Sequence, residues 1–132
     1  RQYEEFEATI NRHQLDFIQV DYSLGNRNAA DRILPLAQDK GIAVLVNLPF
    51  GRGRLFAAVG DRALPEWAAD IDATSWAQVF LKYIMSHPSN AIPIPGTTKP
   101  HHAEDNIGAA TGRLPDANLR REMERFIDPL LA

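Results

Sequence analysis

The chain has 132 residues, a hydrophobic fraction of 45% and a charged fraction of 23%, which are the proportions of a globular domain. Its formal net charge of −3 gives no basis for binding to nucleic acid or to an acidic membrane surface. The absence of cysteine excludes disulfides, thiolate catalysis and cysteine-ligated metals. No apolar run is long enough for a membrane span, and the acidic first segment lacks the plan of a signal peptide, so we expect a cytoplasmic protein.

The first part of the chain alternates between helical and strand patterns. Apolar spacing and short apolar runs predict, in order, a helix over residues 3–13, a strand over Leu15–Val20, a helix over Ala29–Lys40 and a strand over Ile42–Val46. Gly41 stands where the C-cap of the second helix belongs. The second strand is apolar throughout, which is typical of a parallel sheet covered on both faces.

The second part begins with a long segment rich in Gly and Pro, residues 48–67, and connections of this length are often functional. Ser75 and Gln78 predict a capping box at the start of an aromatic-rich helix. The pattern then predicts a short strand at residues 92–94, a short helix up to residue 110 and a last helix that starts near residue 116. Strict alternation indicates parallel strands with right-handed crossovers, but three strands are too few for a closed barrel. We therefore interpret the chain as the C-terminal part of a larger α/β fold.

The segment Ala91–Asn106 combines a strand, a glycine, two hydroxyl residues, a lysine and a helix start. Pro100 suits the first position of a helix, because its missing N–H needs no partner there. The free N–H groups of a helix N-terminus carry partial positive charge, and Lys99 adds a full charge. The segment therefore predicts an anion site, and an ordinary turn with a surface lysine is the alternative.

Three segments resemble, in order and spacing, the aldo-keto reductases, which are (β/α)₈ barrels that reduce carbonyl groups with NADPH. Asp16–Leu24 is similar to the sixth strand, Ile42–Leu55 to the seventh strand and its loop, and Ile94–Asn106 to the eighth strand and its short helix. The resemblance implies that residues 1–132 are the C-terminal half of a TIM barrel. The family's catalytic Asp, Tyr, Lys and His lie on the first four strands, so it also implies that this chain carries no catalytic residue and is inactive alone.

The resemblance implies an NADP(H) site and assigns its parts. Gln19 would bind the nicotinamide carboxamide, and Asn47 stands where many members stack an aromatic ring on the nicotinamide. The backbone over the pyrophosphate would belong to Leu48, Phe50, Gly51 and Gly53. The adenosine and its 2′-phosphate would contact Gly96, Thr97, Thr98, Lys99 and His102, and the adenine would be read by Asp105 and Asn106. An amide cannot stack as an aromatic ring does, and His102 replaces a frequent arginine, so both departures weaken the expected binding.

Other functions were weighed on the same residues. His101 and His102 are adjacent on a helix, where side chains point roughly 100° apart, so we expect no convergence of the rings and no metal site. Two alternatives remain for Arg52 and Arg54 in the Gly-rich loop: they bind phosphate, or they only keep the loop soluble.

The alternatives to a reductase of aldehydes or ketones are a non-catalytic nucleotide-binding or regulatory subunit and a phosphate-binding barrel of unrelated chemistry. As a half barrel exposes two sheet edges, we also expect a homo-oligomer or a complex with an N-terminal half.

Overall fold

In the computed structural model, which describes residues 2–132, three parallel strands form a sheet. The strands are β1 (Phe17–Asp21), β2 (Ala43–Asn47) and β3 (Ile92–Pro93), and β2 lies between the other two. The Ile94 N–H donates to the Val46 carbonyl at 3.0 Å and continues the pairing of β3 beyond its assigned end. The parallel sheet is therefore confirmed, and β1 and β3 are its edges, as the sequence predicts.

Helices precede, separate and follow the strands along the chain. They are α1 (Gln2–Arg12), α2 (Ile33–Lys40), α3 (Arg54–Val59), α4 (Trp76–Met85), α5 (Pro100–Gly108) and α6 (Ala117–Leu131), with 3₁₀ turns at Asn28–Ala30 and Glu66–Ile71. Gly41 ends α2 in the left-handed conformation, with a φ of 68°, which confirms it as the C-cap. The helix predicted over Ala29–Lys40 is in fact divided, since the 3₁₀ turn precedes α2. Among residues 2–132, no helix combines the length and the apolar character that crossing a bilayer requires.

Helices cover one face of the sheet and leave the other open. The covered face carries the buried side chains of Ile18, Val20, Val44 and Val46. The uncovered face is formed by the residues between them and by the third strand, namely Phe17, Gln19, Asp21, Ala43, Leu45, Asn47 and Ile92. Phe17 is 61% exposed and Ile92 51% exposed. The apolar run of the second strand is typical of cover on both faces, but within residues 2–132 the helices pack on one face only.

The start of α4 is capped differently from a reciprocal capping box. Ser75 Oγ accepts the N–H of Gln78 at 3.2 Å, as predicted. The side-chain oxygen of Gln78, however, accepts the N–H of Thr74 at 2.9 Å and not that of Ser75. The amide therefore reaches one residue further back, and its nitrogen is left to bind another element.

A buried lysine connects α4 to two segments that the sequence does not associate with it. Lys82 is 0% exposed, and its Nζ donates to the carbonyls of Ile71 at 2.6 Å, Thr111 at 2.6 Å and Arg113 at 3.0 Å. Burial lowers the pKa of Lys82 from its ordinary value. These bonds fix the second 3₁₀ turn and the segment after α5 against the same helix.

Candidate nucleotide-binding site

A cavity of about 470 Å³ lies between the loop after β2, the start of α4 and the start of α5. We name it the loop–helix cavity. Of the residues that the sequence assigns to a cofactor, it brings together Phe50, Gly53, Gly96, Thr97, His102, Asp105 and Asn106. Phe50 and Gly53 come from the loop after β2, whereas the other five follow β3. The carboxyl ends of neighbouring parallel strands meet at one edge of a sheet, which is where ligands bind in α/β folds.

Aromatic rings form one wall of this cavity. The centroids of Phe50 and Phe56 are 4.8 Å apart, and Trp76 is stacked on Phe80 at 5.8 Å. Trp76 Nε1 donates to the carbonyl of Arg62 at 2.9 Å, which fixes the direction of the indole. The wall is therefore aromatic and its indole is held in place, and an aromatic ring can stack on the face of a nucleobase.

The N-terminus of α5 forms the opposite side. Lys99 precedes the helix in an extended conformation, and its N–H donates to Thr97 Oγ1 at 3.1 Å. Pro100 takes the first helical position, as predicted. The side chains of Thr98 and Lys99 are exposed here and do not line the loop–helix cavity itself. A Cβ on Gly96 would meet nothing within 4 Å, so this glycine leaves open space for a ligand and is not required by a tight turn.

The two adjacent histidines of α5 contradict the expectation from the sequence. The ring centroids of His101 and His102 are 4.2 Å apart, in an edge-to-face arrangement. The angle of about 100° fixes only the Cα–Cβ directions, and rotation about the side-chain bonds brings the exposed rings together. Within residues 2–132, no group of three or more His, Asp or Glu side chains has an arrangement that would hold a metal ion.

The loop after β2 has an unusual backbone. Leu48 and Arg52 adopt positive φ angles of 51° and 57°, and Gly51 and Gly53 adopt 59° and 83°. Such angles cost a non-glycine residue of the order of 1 kcal/mol or more and are frequent at binding sites. Leu48, Gly51, Arg52 and Arg54 line a separate cavity of about 180 Å³. The predicted pyrophosphate residues are thus divided between two neighbouring cavities.

Gln19 and Asn47 lie on the uncovered face of the sheet. Gln19 is exposed and borders a cavity of about 530 Å³ with Tyr3 and Phe6. Asn47 is paired in register with Asp21 on the neighbouring strand. These two predicted nicotinamide residues share a face with each other, and neither lines the loop–helix cavity.

Asp105 is hydrogen-bonded through both carboxylate oxygens to the start of α4. Its Oδ2 accepts from Ser75 Oγ at 2.6 Å, and its Oδ1 accepts from Gln78 Nε2 at 3.1 Å. In contrast, none of the hydrogen bonds found among residues 2–132 uses the side-chain amide of its neighbour Asn106, which also lines the loop–helix cavity.

A sequence model of the aldo/keto reductase family matches residues 2–124, which is most of the chain. The chain belongs to the aldo/keto reductase family. Among curated members, Probable aldo-keto reductase 1 of Glycine max is 27% identical over 85% of this chain and 40% of its own length. The NADH-specific methylglyoxal reductase of Escherichia coli is 28% identical over 87% of this chain and 44% of its own.

Solved structures of aldo-keto reductases share the fold. The apo form of such an enzyme from Bacillus halodurans has a TM-score of 0.70 at 20% identity, over 96% of this chain and 48% of the other. An aldo-keto reductase of Klebsiella pneumoniae in complex with NADPH has a TM-score of 0.65 at 21% identity, over 84% of this chain and 39% of the other. The chain therefore spans less than half the length of these relatives.

Part of the wall of the loop–helix cavity is formed by residues that no family motif marks. Trp76 lies in the predicted aromatic-rich helix and Phe56 in the segment rich in Gly and Pro, and neither was assigned to the site, yet both line the loop–helix cavity. Ser75 caps α4, so Trp76 takes the first position of that helix. Trp76 is far in sequence from the predicted phosphate segment and approaches it only in the folded chain. Phe56 lies in α3, whose buried residues Leu55 and Val59 are four positions apart, and a single spacing of this kind is too short a signal to predict a helix.

Proposed function

We propose that this chain is the C-terminal, cofactor-binding half of a reductase that converts aldehydes or ketones to alcohols with NADP(H). The observation that carries the proposal is the loop–helix cavity. Its lining joins the start of α4 to two segments that are far apart in sequence and that the resemblance assigns to a nucleotide cofactor. The complex of the Klebsiella pneumoniae relative with NADPH supports the choice of cofactor.

The side chains present fit the adenosine half of such a cofactor. The aromatic wall of Phe50, Phe56 and Trp76 suits a planar base, and the cavity volume of about 470 Å³ lies within the range of small-molecule sites. The positive end of α5 and the exposed ammonium of Lys99 suit the 2′-phosphate. The left-handed loop from Leu48 to Gly53 would cover the pyrophosphate with its backbone.

The nicotinamide end would lie along the uncovered face of the sheet. There Gln19 would orient the carboxamide of a bound NADPH, which would supply the hydride that a carbonyl carbon accepts. The small-molecule carbonyl substrate and the proton donor would contact the half of the barrel that the resemblance places before this sequence. The exposed face and the two edge strands support a partner that completes the sheet, either that N-terminal half or a second copy.

The test of the proposal is cofactor binding by the intact protein that contains this chain. Lys99→Ala should weaken NADPH binding by about 1–3 kcal/mol, the scale of a charge-assisted hydrogen bond, and leave NADH binding nearly unchanged. Fluorescence titration measures both dissociation constants. Lys40→Ala is the matched control, because Lys40 is also an exposed lysine but ends α2, on another element.

Two results would contradict parts of this assignment. Equal losses for NADPH and NADH would show that Lys99 supports the loop and does not read the 2′-phosphate. A wild-type protein that prefers NADH, like the specificity named for the Escherichia coli relative, would reject NADP(H) as the cofactor. Failure to bind either dinucleotide would reject the reductase.

The polar Asn47 on the uncovered face favours one alternative, a nucleotide-binding subunit without catalysis. An amide gives the nicotinamide no aromatic surface to stack on, so the reactive end of a bound cofactor would be held less firmly. NADPH oxidation by the intact protein with a reactive aldehyde such as 4-nitrobenzaldehyde separates the two functions. Tight cofactor binding without turnover would favour the subunit.

A further inference from the structure

Two cavities that the proposed function assigns to different parts of the cofactor share a wall. The cavity of about 180 Å³ is lined by Leu48 and Gly51, which would cover the pyrophosphate. The cavity of about 530 Å³ is lined by Gln19, which would orient the nicotinamide. Asp21 and Asn26 line both cavities. A dinucleotide that occupied both cavities would therefore pass these two side chains.

Asn26 belongs to a turn, residues 23–26, whose backbone is held by its own hydrogen bonds. The Ser23 N–H donates to the Asn26 carbonyl at 2.9 Å, and the Asn26 N–H donates to the Ser23 carbonyl at 3.1 Å. Ser23 Oγ also accepts the N–H groups of Gly25 and Asn26, at 3.2 and 3.0 Å. The main-chain groups of Asn26 are thus used inside the turn, which leaves its side chain as the part that can bind a ligand.

The turn as a whole is attached to α3 and α6. A Cβ on Gly25 would lie 3.1 Å from Leu55 Cδ2 and 3.2 Å from Leu131 Cδ1, so the turn packs closely against both helices. Immediately after the turn, the guanidinium of Arg27 donates to both carboxylate oxygens of Asp128, at 2.9 and 3.0 Å. The backbone between these two attachments is therefore held at a defined place beside the cavities.

The side-chain amide of Asn26 has one defined direction. Its Oδ1 accepts the N–H of Asn28 at 3.3 Å, and a backbone N–H can only donate, so the oxygen faces Asn28 and the nitrogen does not. None of the hydrogen bonds found among residues 2–132 uses Asn26 Nδ2. A half-buried amide nitrogen that borders two cavities thus has both of its N–H donors left for a ligand.

The charges around the smaller cavity favour an anion. Arg52 and Arg54 line it with two positive charges, against one negative charge from Asp21 among the lining residues within 2–132. A side-chain amide adds N–H donors without adding charge, and such donors commonly bind phosphate oxygens. Asn26 therefore complements the two arginines at a site for a phosphate group.

We infer that Asn26 is a cofactor-binding residue, whose side-chain nitrogen donates to a phosphate oxygen where the dinucleotide passes from the smaller cavity to the uncovered face of the sheet. The inference rests on the proposed function and extends it, because the resemblance assigns no ligand to the turn after β1. Asn26 should therefore affect ligands that carry the pyrophosphate and spare those that end at the adenosine.

The experiment compares NADPH with adenosine 2′-monophosphate, which lacks the pyrophosphate, in the intact protein that contains this chain. Asn26→Ala should weaken NADPH by about 5- to 30-fold, through loss of a hydrogen bond to a charged group. Asn26→Asp replaces the donor by an oxygen and adds a negative charge, so it should weaken NADPH at least about threefold more than Asn26→Ala. Both variants should keep the dissociation constant of adenosine 2′-monophosphate within about twofold of wild type.

The order of the two variants separates binding from support of the turn. A purely structural role gives the opposite order, because Asn26→Asp keeps the oxygen that accepts from Asn28 and Asn26→Ala loses it. Asn28→Asp is the matched control, since it places the same charge two positions away, on the larger cavity alone, and should weaken NADPH by no more than about threefold. Urea denaturation shows whether each variant is folded, and Asn26→Asp against Asn28→Asp decides if Asn26→Ala does not fold.

Four results would overturn the inference while the proposed function stands. They are NADPH affinity within about twofold of wild type in Asn26→Asp, a smaller loss in Asn26→Asp than in Asn26→Ala, equal losses for NADPH and adenosine 2′-monophosphate in Asn26→Asp, and an equal NADPH loss in Asn28→Asp. A wild-type protein that binds neither NADPH nor NADH would overturn this inference and the proposed function together.

Discussion

Replacing Lys82 with methionine tests how α4 holds the segment after α5. The variant keeps the length and apolar stem of the side chain but removes the three hydrogen bonds to Ile71, Thr111 and Arg113. The carbonyl of Ile71 is then left buried, which costs about 1–3 kcal/mol, whereas the other two lie in partly exposed surroundings and can bind water. Removal of a buried ammonium offsets part of this cost. The free energy of unfolding should therefore fall, by at most about 1–3 kcal/mol.

Urea denaturation of residues 1–132, followed by circular dichroism, measures the change. Lys40→Met is the matched control, because Lys40 is exposed at the end of α2 and its loss should cost less than about 0.5 kcal/mol. Burial lowers the pKa of Lys82 below its ordinary 10.5, so between the folded pKa and 10.5 the unfolded chain binds more protons. The advantage of wild type over Lys82→Met should therefore grow as the pH rises through that window.

A Lys82→Met variant as stable as the Lys40→Met control would refute this reasoning. It would show that the burial cost of the ammonium cancels its three hydrogen bonds. A wild-type advantage that shrinks as the pH rises would refute the lowered pKa, because the sign of the linkage would be reversed.

Three further outcomes are expected. Residues 1–132 should not oxidise NADPH with 4-nitrobenzaldehyde, since no proton donor is placed beside the carbonyl, and turnover above background would place catalytic groups in this half. Burial lowers the pKa of half-buried His87 from 6.5 to about 4, so between these pH values the unfolded chain binds more protons than the folded chain. The free energy of unfolding should therefore decrease by about 1–2 kcal/mol as the pH falls from 6.5 to 4. In a series of urea denaturations over this pH range, His87→Asn should show a smaller decrease. Light scattering after size-exclusion chromatography should give at least twice 14.7 kDa, and a cooperatively melting monomer would show that this half protects its own edges.

The sequence predicted those parts of the fold that local rules decide. The positions of Gly41 and Pro100 at helix ends follow from backbone requirements of one residue, and both are confirmed. The helix α3 was missed because it has six residues within a segment rich in Gly and Pro, too short for a clear helical period. Lys82 was visible only as a charge in an apolar helix, because its three carbonyl partners lie on segments that only the tertiary fold brings to it.

In the candidate site, too, the sequence predicted what depends on local position and not what depends on the tertiary fold. Motif positions after β2 and after β3 predicted which residues would approach the cavity, and Phe50 and Thr97 do line it. The role of Asp105 depends on Gln78, which is 27 positions away along the chain and which the sequence presents only as part of a helix cap. Nothing local to Asp105 distinguishes a carboxylate that reads a base from one that binds a neighbouring helix.

The helix α4 therefore supports the candidate site by fixing the middle and the end of α5. Near its start, Gln78 binds Asp105 and packs against Gly108, and one turn later Lys82 binds the segment that follows α5. A helix whose middle and end are both fixed holds its N-terminus at a defined place. The positive end that would receive a phosphate is thus positioned by residues that do not themselves line the cavity. Substitutions on α4 should consequently change cofactor affinity through the position of α5.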